Sequence, residues 1–195
     1  VALMATHAAS AFTYVDAEGV TLECFPVSTE EGALADLLTD LYRHHWNGIQ
    51  FGTLIQGAVW EIAVDKPPES IGVLDGYLTV NFGLWHFHVC IGEHRGTKGR
   101  PVAPELARIR RTSRAEFFRR LNDDGTPNSW GFQMFNGISE VQMTVFFPNP
   151  YLDRDGKVQR RADWARLNTW DVLRQRHAGL GQDDRDRCSS GFVHG

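Results

Sequence analysis

The chain has 195 residues, 42% of them hydrophobic and 23% charged, with a formal net charge of −4. This balance excludes a disordered chain and gives no general affinity for nucleic acid. No apolar run approaches the ~20 residues that cross a bilayer, and three cysteines without a C-x-x-C pair argue against a disulfide framework and fit a reducing cytoplasm.

The length suits a single α+β domain over residues 1–180, followed by a polar tail over 181–195. Residues 1–3 precede Met4, which reads as the native start. Residues 11–25 read as a hairpin, because two β-rich runs flank Glu18-Gly19. Residues 28–46 read as a helix. Ser28 and Glu31 have capping-box spacing, and Leu34, Leu37, Leu38, Leu41 and His45 form one stripe. Residues 53–64 read as one strand, and 66–76 as a loop punctuated by Pro67, Pro68, Gly72 and Gly76.

YLTVNF and LWHFHVCI then read as two strands joined around Gly83, with a glycine-rich basic loop over 92–101. Pro104 opens a predicted helix that runs to Leu121, with Leu106, Ile109, Phe117 and Leu121 near one face. SWGFQMF and EVQMTVFF read as a hairpin about Asn136-Gly137. A last helix over 162–177 stops before Gly179. The order β-β-α-β-β-β-α-β-β-α implies an α+β fold, a mainly antiparallel sheet with helices packed on one face.

The most chemically loaded stretch is WHFHVCIGEHRG, residues 85–96. Strand alternation puts Trp85, Phe87, Val89 and Ile91 on a core face and His86, His88 and Cys90 on the other. Two imidazoles ~7 Å apart along one strand face can reach one ion. His86 and His88 are therefore the expected metal ligands, with His94 or Glu93 completing the set. Imidazole nitrogen suits zinc, iron, nickel or copper. The alternative is a solvated surface pair. Cys90 reads as structural unless a neighbouring imidazolium depresses its pKa. Gln133, Gln142, Thr144, Phe135 and Phe146 are expected to share a pocket-like sheet face with the two histidines.

Glu61 stands inside the apolar run AVWEIAV and reads either as an outward surface residue or as a ligand, a partner to a histidine or a general base. Glu61 and Glu93 are the expected catalytic carboxylates. Arg95, in the loop after the histidines, is the expected contact for an anionic carboxylate or phosphate. His44, His45 and His177 suit helix C-termini. Charge is unevenly spread: residues 1–70 hold ten acids against Arg43 and Lys66, and residues 100–122 hold seven arginines against Glu105 and Glu116. The arginine strip is either a solvated face paired with the acidic half or a surface for an anion or acidic partner.

Three resemblances follow from these residues. The spacing His86-x-His88-x4-Glu93 resembles the first cupin motif, which implies that these three bind a metal; no histidine between His94 and His177 supplies the second motif. The run from His86 to His94 is similar to the histidine- and cysteine-containing strand of the stay-green magnesium dechelatases, which implies tetrapyrrole chemistry. WHFHVCIGEHRG, SWGFQMFNG and TVFFPNPYL together resemble an uncharacterised bacterial family that carries no known activity.

The expected function is a small metal-dependent enzyme acting on a small molecule, and an anion suits the nearby arginines. Lyase, hydrolase and oxygenase chemistry are not distinguished. One alternative is binding, or metal removal, of haem or a chlorophyll derivative; another is a non-enzymatic interaction domain using the arginine-rich helix. No nucleic-acid or membrane partner is expected, and the sequence allows a homo-oligomer.

Overall fold

The computed structural model describes residues 10–55 and 57–192; Met4 lies outside them. The chain opens with the hairpin β1 (Phe12–Val15) and β2 (Thr21–Pro26), then α1 (Glu31–His44). Three short strands follow: β3 (Gln50–Gly52), β4 (Leu54–Ile55) and β5 (Ala58–Val59). Next come β6 (Ser70–Leu74), β7 (Tyr77–Asn81), β8 (His86–Cys90), β9 (Gly96–Thr97) and β10 (Arg100–Pro101). A short helix, α2 (Pro104–Arg110), leads into β11 (Arg114–Leu121), β12 (Pro127–Phe135) and β13 (Val141–Phe146). A 3-10 turn at Trp164–Leu167 runs into α3 (Asn168–Ala178), and a second turn covers Asp184–Arg187.

The main sheet has the order β1-β2-β11-β12-β13-β3, every pair antiparallel. Strand alternation gives it one strongly apolar face. Phe25, Phe117, Phe132, Met134 and Val145 meet Leu34, Leu37, Leu38 and Leu41 of α1 and Trp170 and Leu173 of α3. Each such side chain contributes about 1.5–3 kcal/mol when fully buried. The expected α+β architecture, with α1 and α3 on one face of an antiparallel sheet, is the one observed. A second sheet, β6-β7-β8, adds Leu78, Val80, Val89 and Ile91 to the same core.

Several local expectations are corrected. The predicted helix from Pro104 ends at Arg110, and Arg114–Leu121 is a strand in the middle of the sheet. Residues 53–64 break into β4 and β5 around Gly57, with Ile62 bridging back to Phe51. A Cβ on Gly52 would stand 1.6 Å from the Trp60 carbonyl oxygen, so the chain crosses itself closely here. The loop expected over 66–76 contains β6. Ser28 does not cap α1; its hydroxyl accepts from the Glu30 amide, and Glu30 is the N-cap.

The polar tail docks. Asp186 is fully buried and accepts from Arg119, Trp130 and Trp170, each at 2.7 Å. Among the described residues, no helix is long and apolar enough to cross a membrane.

α1 and α3 are also joined by charge. Asp40 of α1 accepts from His177 at 2.9 Å and from Arg176, so His177 does more than cap its helix. Burial pushes the Asp40 carboxyl up, but the bonds from His177 and Arg176 outweigh it and hold the group below the usual carboxylate range. A depressed folded value means that this stabilisation is full above the unfolded pKa of about 4 and is lost as pH falls through the folded value. Urea unfolding of the native chain and of Asp40→Asn at pH 7 and pH 3 measures it. The gap between the two is expected to be smaller at pH 3 than at pH 7.

Candidate functional site

The histidine strand is the edge of the small sheet, not part of the large one. Its register pairs His86 with Asn81, His88 with Thr79 and Cys90 with Tyr77. The two imidazoles project together into solvent, with ring centroids 4.9 Å apart at an interplanar angle of 75°. The Thr79 hydroxyl lies 2.7 Å from His88 Nδ1 and holds that ring. The expectation that His86 and His88 share a sheet face with Gln133, Gln142 and Thr144 is thus overturned: those three lie on the six-stranded sheet.

Val89 and Ile91 are buried as alternation requires, but Trp85 is 37% exposed and stacks on Phe82 at the sheet edge. Cys90 is buried as well, and burial pushes its thiol up, away from nucleophilic use at neutral pH.

Glu93, His94 and Arg95 belong to a different neighbourhood, built on the Asp75-Gly76 turn between β6 and β7. Both turn residues have positive φ, 49° and 78°, which Asp-Gly tolerates in a tight hairpin. Gly76 is required there, because a Cβ would stand 2.7 Å from the Glu93 backbone. The Asp75 carboxylate then accepts from the amides of Arg95 at 2.8 Å and Gly96 at 2.9 Å. Chiefly the Arg95 amide, with that of Gly96, holds the Asp75 carboxyl below its ordinary range.

His94 is held on three sides. Arg110 Nη1 lies 3.0 Å from its Nδ1, Asp75 Oδ2 lies 3.4 Å from its Nε2, and Tyr77 meets the ring edge-on. Arginine only donates, so Nδ1 accepts and the proton of the neutral ring sits on Nε2, toward Asp75. Neither nitrogen then offers a lone pair to an ion. The structure does not gather His86, His88, Glu93 and His94 around one point. Among the described residues no group of three or more His, Cys, Asp and Glu side chains could hold a metal.

What the 92–102 loop and α2 do enclose is a basin of about 620 Å³. Its walls include Glu93, His94, Arg95, Arg108, Arg111, Thr112 and Ser113. Arg95 is engaged by Glu93 at 2.8 Å, and Arg108 by Glu105 at 2.6 Å. Arg111 differs from both. It caps the C-terminus of α2, is partly buried, and its guanidinium has no hydrogen-bond or ion-pair partner among the described residues.

The floor beneath Arg111 is pinned. The Thr112 amide and hydroxyl both donate to the Cys90 carbonyl, at 2.9 and 2.8 Å, and Gln142 Nε2 donates to the Arg110 carbonyl at 2.8 Å. On the far wall, a Cβ on Gly137 would stand 2.1 Å from the Arg108 carbonyl oxygen, so the β12–β13 turn packs directly on α2.

Glu61 is exposed and lines a second cavity of about 730 Å³, with Arg120, Arg154 and Arg166 among its walls. That cavity shares no lining residue with the first. Neither is lined by His86 or His88.

Sequence reasoning misses Asp75 and reads Arg108 and Arg111 only as members of the arginine strip. The Asp75-Gly76 dipeptide between two β-rich runs was a readable signal for the turn. Nothing local marks Arg111 among its neighbouring arginines, because its lack of a partner is a property of the fold. A protein-family model described as "Family of unknown function (DUF7676)" matches residues 12–179. The search of curated proteins gives no match.

Proposed function

The chain belongs to DUF7676, a family of unknown function, and we propose from its own geometry that it binds a small anionic molecule, a carboxylate or phosphate, in the basin between the 92–102 loop and α2. One observation carries this reading: the partly buried Arg111 lines the basin, and its guanidinium has no counter-charge among the described residues. A partly buried guanidinium without a counter-charge offers charge-assisted, bidentate hydrogen bonds to a carboxylate or phosphate. Arg95 and Arg108 line the same basin. Thr112 and Ser113 add hydroxyl groups to the wall, although both are already bonded within the protein.

In this reading His94 and Asp75 are positioning residues that hold the loop. Glu93 orients Arg95, which places it at the basin rim as a partner of the arginine and not as a general base. The metal-dependent part of the expected chemistry rests on His86 and His88 alone, apart from the basin. The free state of Cys24, Cys90 and Cys188 supports a reducing compartment such as the cytoplasm.

Calorimetric titration of the full chain with phosphate, malonate and citrate tests the reading. At least one is expected to bind, and Arg111→Ala is expected to weaken it by about 1.5–3 kcal/mol, or roughly 10- to 150-fold. Arg111→Lys should retain part of the affinity, since it keeps the charge but loses the planar fork. Equal affinity in Arg111→Ala, or no binding of any of the three, rejects the proposal.

A further inference from the structure

His86 and His88 project together from the edge strand of the small sheet, with their rings close to one another. Two imidazoles bound to one tetrahedral ion, at about 2.0–2.1 Å from nitrogen to metal, have ring centres roughly 5 Å apart. The observed separation is 4.9 Å, compatible with that spacing. His88 is also oriented through one ring nitrogen. Its Nδ1 meets the Thr79 hydroxyl, which can accept Nδ1–H and leave the Nε2 lone pair facing outward. His86 has no hydrogen bond from either ring nitrogen among the described residues.

The chain's own described residues offer no third ligand. A closed zinc site takes four. A two-fold axis through the ion would supply the missing pair from identical positions, the simplest way for a homo-oligomer to complete a site. The surrounding surface suits this approach. The cross-strand partners on this face are Ser70, Gly72, Thr79 and Asn81, none of them charged, so two copies meet without like-charge repulsion. Beside the pair, the turn into β8 presents Leu84, fully exposed, and Trp85 at 37% exposure, apolar surface that a second copy would cover.

We infer that two copies of the chain share one transition-metal ion, held by His86 and His88 of each. The inference does not depend on the anion basin, which contains neither histidine. The test is sedimentation velocity of the untagged full chain, first with chelator and then with zinc sulfate added in steps, alongside a direct measure of bound zinc. The expected result is a doubling of mass that saturates at one zinc per two chains and reverses with excess chelator. His86→Ala and His88→Ala should each abolish the doubling, and both residues are exposed, so folding is not at stake. Thr79→Val should leave it in place but require roughly 10- to 100-fold more zinc, as losses of such supporting hydrogen bonds do. Zinc bound one per chain without a change in mass, doubling that survives both alanine substitutions, or no zinc binding would each overturn the inference.

Discussion

Asp186→Ala is expected to destabilise the fold by about 3–5 kcal/mol, the usual cost of removing one partner from a buried ion pair. The carboxylate is fully buried and joins parts of the chain that are distant in sequence. One oxygen accepts from Arg119 and from the Trp130 indole, both at 2.7 Å. The other accepts from the Trp170 indole at 2.7 Å and faces Arg174 at 3.6 Å.

Arg119 and Arg174 are each only 2% exposed. Arg119 keeps Glu23 and Asp183 if Asp186 is lost, whereas among the described residues Arg174 keeps only the Gly181 carbonyl as a hydrogen-bond acceptor. Two indole N–H groups are stranded as well, so the cost lies in unpaired buried donors and not in a lost attraction. Asp186→Asn, which keeps an acceptor without the charge, should fall between alanine and the native residue. Urea unfolding measures all three. A loss below about 1 kcal/mol for the alanine variant would mean that the tail contributes little to the fold.

Gly131→Ala is expected to cost about 1–3 kcal/mol, the range for forcing extra atoms into a filled interior. Gly131 sits in the cross-strand row Phe118, Gly131, Phe146, with a large ring on either side. A Cβ there would stand 2.3 Å from the Val145 carbonyl oxygen and 2.6 Å from the Phe118 ring. The carbonyl belongs to the backbone of β13 and cannot rotate away, so the strands themselves must part. Gly32, in α1, has nothing within 4 Å of the same added atom. Gly32→Ala should therefore stabilise the chain, by up to about 1 kcal/mol, through helix propensity alone. Opposite signs for the two substitutions in the same unfolding assay are the expected outcome. Destabilisation by both, or by neither, would contradict the packing described for β12.

These cases show why parts of the chain could be read directly and others could not. Strands β2 and β7 and the amphipathic α1 alternate between a buried and a more exposed face. Their periodicity is therefore printed in the sequence. β11 reads as helix because Leu106, Ile109, Phe117 and Leu121 keep helical spacing from Pro104, and because the strand is buried on both faces. β12 is buried on both faces too, but its aromatic residues and the Asn136-Gly137 turn mark it as a strand. Phe117 and Arg119 point to the core side, and Glu116 and Phe118 to the other, all of them buried. Without a polar face there is no alternation to see. Its arginine looked like a solvent-facing charge because the carboxylates that neutralise it lie at Glu23, Asp183 and Asp186.

The site divides in the same way. The sequence alone determined that His86 and His88 project together from one strand face, since alternation is a property of any extended backbone. It also determined the antiparallel α+β character, and it marked the 92–101 loop as basic. Only the tertiary structure decided that His94 is consumed by Asp75 and Arg110, that Glu61 lines a different cavity, and that the Arg111 guanidinium has no partner among the described residues. Those outcomes depend on which residues from remote segments arrive beside each group. Side-chain periodicity carries no information about that.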